Sequence, residues 1–319
     1  MSTIDRNRGL TTPATPAARQ PAPAKTLSNP LGSIIDAAKD GLKDIPRFVK
    51  MGKDVFEAST VKELRRIFGS DAKPDRMTDG KFVGAQGQTF PPNTALKDMP
   101  AVTPRNNPNA SETLIYVNGI MTPLQGQLGE MQALADKSGA RVIGIHNATQ
   151  GLVTDLAQCV TDKLDKGKNP AVDTLADTVY NELKAGRDVH LVGYSQGGLI
   201  TARALGDVQR RLRIEDGLSA ADAEKAMSHI NVETFGAAST HYPDGPNYVH
   251  YVNNADAVPT LTGLGGSIDP LAFAKDAGKG AVVHRFTDGN LNLISNHMLD
   301  TAYLPHRVPF DQARAGRFE

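Results

Sequence analysis

The chain has 319 residues, 35 Lys+Arg against 35 Asp+Glu, and a formal charge of zero, so no electrostatic excess favours nucleic acid or an anionic membrane surface. One cysteine, Cys159, excludes an intramolecular disulfide framework and any multi-cysteine metal cluster; in "DLAQCV" it reads as a buried helical thiol. No apolar run reaches the roughly 18 residues of a membrane span and no basic-then-apolar secretory signal opens the chain, so the expectation is a cytoplasmic protein or one exported by another route.

Residues 1 to 30 hold five of the 20 prolines among Thr, Ala and Ser, with too few large apolar side chains to offset ordering entropy, and are expected to be disordered. From Leu31 to about Phe68, Ile34, Ile35, Ala38, Leu42, Ile45 and Val49 recur at helical spacing, and "STVKELRRIFG" reads as a capped helix ending at Gly69. Residues 70 to 110, rich in Pro, Asn, Asp and Gly, read as an irregular linker. The division expected is therefore a tail over 1–30, a helical extension and linker over 31–110, and an α/β domain over 111–319.

Beyond that point the alternation becomes regular. "TLIYVNGI" breaks at Asn118-Gly119; "EMQALADKSG" is helical; "RVIGIHN" is a second apolar run; helices follow over Leu152 to Lys166 and Thr174 to Leu183. "DVHLVGYS" is the third run, with a helix opening directly behind it, and "LSAADAEKAM" is another helix with Ser219 and Asp222 in capping positions. "INVETFGA", "YVHYVNNAD" and "AVVHRFTDG" are the last three runs. Nearly continuous apolar strands alternating with helices predict a mainly parallel sheet covered by helices on both faces.

The stretch "VHLVGYSQGGLI" sets Ser195 where a strand should hand over to a helix, the place where reactive groups collect in an open parallel sheet. Gly193 and Gly197 remove side chains that would collide across so tight a turn, and the helix behind Ser195 aims its first N–H groups, the Gln196 amide foremost, at any oxyanion formed there. The pentapeptide alone is weak in a chain with 30 glycines; its place between an apolar strand and a helix is what lifts it.

A serine hydroxyl needs an imidazole to take its proton and a carboxylate to fix that imidazole's tautomer. Of the eight histidines, His190, His250 and His284 fall in strands and read as packing residues, while His146, His229, His241 and His306 flank elements. His297, in the loop after the final strand, is the candidate base, with His284 and His306 in reserve. Asp256, at the end of "YVHYVNN", is the candidate acid, with Asp244, Asp269 and Asp288 in reserve.

"GYSQG" in this setting resembles the nucleophile elbow of the α/β-hydrolase superfamily. The succession "VHLVGYSQGG", "VETFGAAS" and "YVNNADAVPTL" is similar to class 3 lipases and related serine esterases, over roughly Thr113 to Leu304. The resemblance implies the α/β-hydrolase fold and a triad in the order Ser, Asp, His, hence Ser195, Asp256 and His297. It also implies a second oxyanion donor after the first core strand, for which the Ile120 amide is the candidate; Asn118-Gly119 stands where the related lipases often have His-Gly. The implied activity is cleavage of carboxylic esters, lipid or fatty-acyl esters before small soluble ones, with no metal or organic cofactor.

Thioesterase, acyltransferase and peptidase chemistry stay open, because a triad does not choose its leaving group. So does a reading in which the scaffold only binds or delivers. The glycine-hinged stretch from Thr260 to Ala281, with Leu261, Leu264, Ile268, Leu271 and Phe273, is expected either to cover the site or simply to complete the fold. The Pro/Thr/Ala-rich start resembles the leaders of bacterial effectors exported by specialised machines, with the helix near 34–49 as a candidate peripheral membrane contact. Oligomeric state is not legible.

Overall fold

The computed structural model of the protein describes residues 76–120, 122–148, 169–265, 275–289 and 295–318. The expected tail, the helical extension, the Leu152–Lys166 helix with Cys159, Asp269 and the middle of the stretch after Asp256 lie outside them.

The described strands are β1 (Phe82–Val83), β2 (Thr89–Phe90), β3 (Thr113–Val117), β4 (Arg141–Ile145), β5 (Val189–Tyr194), β6 (Ile230–Phe235), β7 (Asn247–Asn253) and β8 (Val282–Phe286). They form one sheet in the order β2-β1-β4-β3-β5-β6-β7-β8, parallel throughout except at β1, which pairs antiparallel with both β2 and β4. The stretch expected to be irregular linker thus supplies the sheet's antiparallel edge. Two-residue strands carry no period to read, and Phe82 and Val83 are a lone apolar pair between Gly80 and Gly84.

The helices are α1 (Leu124–Ser138), α2 (Pro170–Lys184), α3 (Gln196–Ile214), α4 (Ala220–Met227), α5 (Ala257–Thr262) and α6 (Phe310–Arg314). Helix α1 begins six residues ahead of the expected "EMQALADKSG" and runs through Gly126 and Gly129, because burial of Gln127 and Met131 against the sheet outweighs glycine's poor propensity. At α2, the Asn169 side chain accepts the Ala171 and Val172 N–H groups at 2.9 and 3.2 Å with Pro170 in the first turn; at α4, Ser219 accepts the Asp222 N–H at 3.1 Å.

Alternation along the strands divides the core. Ile115, Val117, Ile143 and Leu191 pack under α2, α3 and α4 through Leu175, Val179, Leu205, Val208 and Met227, whereas Leu114, Tyr116, Val142 and Val192 face Met131 and Leu134 of α1 and the C-terminal segment around Leu299 to Ala313. Both faces are therefore covered, each fully buried Leu or Val contributing ~1.5–3 kcal/mol. The chain leaves β3 toward β4 on one side and returns as β5 on the other, so the winding reverses between β3 and β5, and the crevice at such a reversal is where open α/β sheets place ligands.

Candidate active site

Ser195 stands at that reversal. It follows β5 and caps α3 with φ 55° and ψ −121°, one of two non-glycine residues at positive φ among the described residues, a conformation costing on the order of 1–3 kcal/mol. Its surroundings hold it there. The Ser195 N–H donates to the Phe235 carbonyl at 3.0 Å, and its carbonyl accepts from Gly198 at 3.1 Å and Ala238 at 3.0 Å. The flanking glycines are needed for contact distance: a Cβ at Gly193 would lie 2.7 Å from the Gly198 Cα, and one at Gly197 would lie 2.1 Å from the Val117 carbonyl oxygen.

The register of β5, β6 and β7 brings Tyr194, Phe235 and Tyr251 side by side, so the loops behind them share one rim with Ser195. His297, in a short 3₁₀ turn (Ser295–His297), and Asp256, the N-cap of α5, meet the serine there. His297 Nε2 lies 2.8 Å from Ser195 Oγ, and His297 Nδ1 lies 2.6 Å from Asp256 Oδ2. The carboxylate holds Nδ1 as an N–H donor and leaves Nε2 as the acceptor facing the hydroxyl. The Tyr194 ring stacks on the imidazole with centroids 5.1 Å apart, and its hydroxyl donates to the His297 carbonyl at 2.7 Å.

Of the oxyanion candidates, Gln196 opens α3, so its N–H has no intrahelical acceptor. Ile120 stands in the turn behind β3, which passes close enough that a Cβ on Gly119 would sit 3.0 Å from the Ser195 Cβ. Asn118 does not leave this loop slack. Its buried amide donates to the Gly119 and Asn147 carbonyls at 2.8 and 3.0 Å and accepts the Asn147 N–H at 2.8 Å, while the Asn147 amide donates to Gln196 Oε1 at 2.7 Å. One bracket of three side chains therefore ties the Ile120 turn to the first residue of α3. Sequence reasoning missed Asn147; its one visible signal is a polar pair, His146-Asn147, at the carboxyl end of an apolar strand.

The other candidates are placed elsewhere. His284 stacks on Phe318 at 3.8 Å, His306 stacks on Phe286 and pairs with Asp288 at 3.2 Å, and Asp244 accepts the Lys279 N–H. His250 is fully buried between the Thr234 hydroxyl and the Ala277 carbonyl, and burial pulls it down to about 4. His190 belongs to an ion cluster: Nδ1 meets Glu112 at 2.7 Å, Nε2 meets Glu233 at 3.0 Å, and Glu233 also accepts from Arg307 at 2.8 Å. Burial would lower the imidazole, but the two carboxylates prevail and raise it; burial would raise Glu233, but Arg307 and His190 hold it low.

On α1, burial pushes Glu130 up to about 8 despite the Tyr116 hydroxyl at 2.7 Å, with Asp300 adding to the rise. A cavity of about 780 Å³, lined by Glu112, Arg141, Arg187 and His190 among others, opens at the amino ends of β3 to β6, the rim opposite Ser195. Among the described residues no three His, Cys, Asp or Glu side chains converge on a metal position, and no helix is long and apolar enough to cross a membrane. No protein-family profile matches the chain, and no curated protein is similar to it in sequence.

Proposed function

We propose that the protein is a serine hydrolase of the α/β-hydrolase kind that cleaves carboxylic esters, lipid or fatty-acyl esters foremost. The observation that carries this reading is the unbroken line from Ser195 Oγ through the His297 ring to Asp256 Oδ2, at 2.8 and 2.6 Å, on a strained strand-to-helix turn. Ser195 Oγ attacks the ester carbonyl and gives its proton to His297 Nε2. Asp256 balances the imidazolium, and the Gln196 and Ile120 amides receive the oxyanion. Collapse of the tetrahedral adduct breaks the C–O bond, the alkoxide takes the proton from Nε2, and the acyl group stays on Ser195. Water, deprotonated by the same nitrogen, releases the acid.

The preference for acyl chains over small esters rests on the resemblance to lipases and on the apolar residues between Asp256 and β8. A fluorophosphonate probe tests the activity: wild type is labelled and Ser195→Ala is not. An unlabelled wild type that also turns over no p-nitrophenyl ester of any chain length and no phospholipid would favour a scaffold that binds without reacting.

A further inference from the structure

The Asp256 carboxylate is fully buried, and a carboxylate out of water stays charged only where donors replace its hydration. Three donors reach it. Oδ1 accepts the Val258 N–H at 2.9 Å, and Oδ2 accepts both the His297 Nδ1–H at 2.6 Å and the Tyr303 hydroxyl at 2.6 Å. The first caps α5 and the second belongs to the proposed relay; the third has no part in either. Burial and the neighbouring Asp256 charge push the Tyr303 phenol well above its ordinary range, so it stays a proton donor throughout.

Two features of the fold serve this contact. The segment behind His297 widens into a π-helical turn, Leu299–Tyr303, a rare geometry that recurs at functional sites, and its last residue is the tyrosine. Residue 236 is glycine at φ 54°, where a Cβ would stand 2.8 Å from the Tyr303 hydroxyl and 3.0 Å from Asp256 Oδ2. The Tyr303 ring is itself fixed edge-on against Phe286 and Phe235.

We infer that Tyr303 is a positioning residue for the relay, its hydroxyl holding Asp256 Oδ2 in line with His297 Nδ1 and drawing off carboxylate charge so that the Nδ1 proton stays on the imidazole. This rests on the serine-hydrolase reading. When Nε2 takes the Ser195 proton, the ring becomes a cation and the pull of Oδ2 on the Nδ1 proton is greatest; a second donor on the same oxygen opposes that transfer. The Tyr303 proton stays on its own oxygen and no bond to carbon changes there. The effect is largest in the transition state, so kcat responds and KM does not.

The test is a double-mutant cycle on ester turnover and fluorophosphonate labelling rate. Tyr303→Phe keeps the ring and removes the donor; kcat should fall about 10- to 100-fold, with KM within about two-fold. In an Asp256→Asn background the same change should have almost no further effect, because the hydroxyl acts through the carboxylate. Wild-type kcat in Tyr303→Phe, or an equal loss in both backgrounds, overturns the inference alone. An inert wild type removes the hydrolase reading and the inference with it. Proton NMR gives a second measurement that does not depend on how well Tyr303→Phe folds. Wild type should show two exchange-protected low-field signals, from Tyr303 Oη–H and His297 Nδ1–H, both lost in Asp256→Asn; a single signal overturns the assignment.

Discussion

Gly197→Ala should silence the site while leaving most of the fold standing. The added Cβ would lie 2.1 Å from the Val117 carbonyl oxygen, 2.7 Å from its carbon and 2.9 Å from the Asn118 oxygen, so roughly 1 Å of clearance is required. Neither wall can yield cheaply: both are backbone, and β3 is hydrogen-bonded to β4 on one side and β5 on the other. The strain, ~1–3 kcal/mol by comparison with overpacked cores, is relieved by moving the start of α3, and Ser195 moves with it. A shift of that size stretches the 2.8 Å contact with His297 beyond hydrogen-bonding reach, and misplacement by about 1 Å costs about 10²-fold in rate. At Gly206 in the same helix a methyl group would meet nothing within 4 Å, so Gly206→Ala should gain ~0.5–1 kcal/mol. Fluorophosphonate labelling rates beside thermal melts separate the two. Wild-type labelling in Gly197→Ala would refute the geometry of the turn.

Two further substitutions test other contacts of the fold. Asn147→Ala cuts the bracket between the Ile120 turn and Gln196 and should lower kcat by about 10-fold with KM little changed; an unaltered kcat would mean the turn is held by other contacts. Glu130 titrates at about 8 in the fold against 4.5 when free, so the folded chain holds a proton that the unfolded chain releases between those values. Stability from this group is therefore fullest below pH 4.5 and declines as pH rises to about 8, by at most about 5 kcal/mol. Glu130→Gln should abolish that decline, so urea midpoints of the variant and wild type should diverge from pH 5 to pH 9; a constant difference would contradict the assignment.

The parallel strands and both covered faces were legible because β3 to β8 are short apolar runs bounded by turn residues, and Ser195 was legible because a strand, a glycine-flanked turn and a helix follow one another within a dozen residues. His297 and Asp256 could be nominated from their places after strands. Their convergence could not, since it depends on the lateral order of strands distant in sequence. Tyr303 carries no local signal at all: its hydroxyl reaches Asp256 across 47 positions through a π turn that no helical period announces. The edge formed by β1 and β2 was missed for a related reason, because its pairing is set by β4 rather than by its own residues.

The separation of 102 positions between Ser195 and His297 has a consequence for the living cell. At a ribosomal pace of ~5–20 residues per second, Ser195 is joined to the chain about 5 to 20 s before His297. Throughout that interval the alcohol is an ordinary one, and β7, Asp256 and the π turn must still be laid down behind it. On the serine-hydrolase reading, copies that stop short of His297 lack the proposed base and would leave surrounding esters intact.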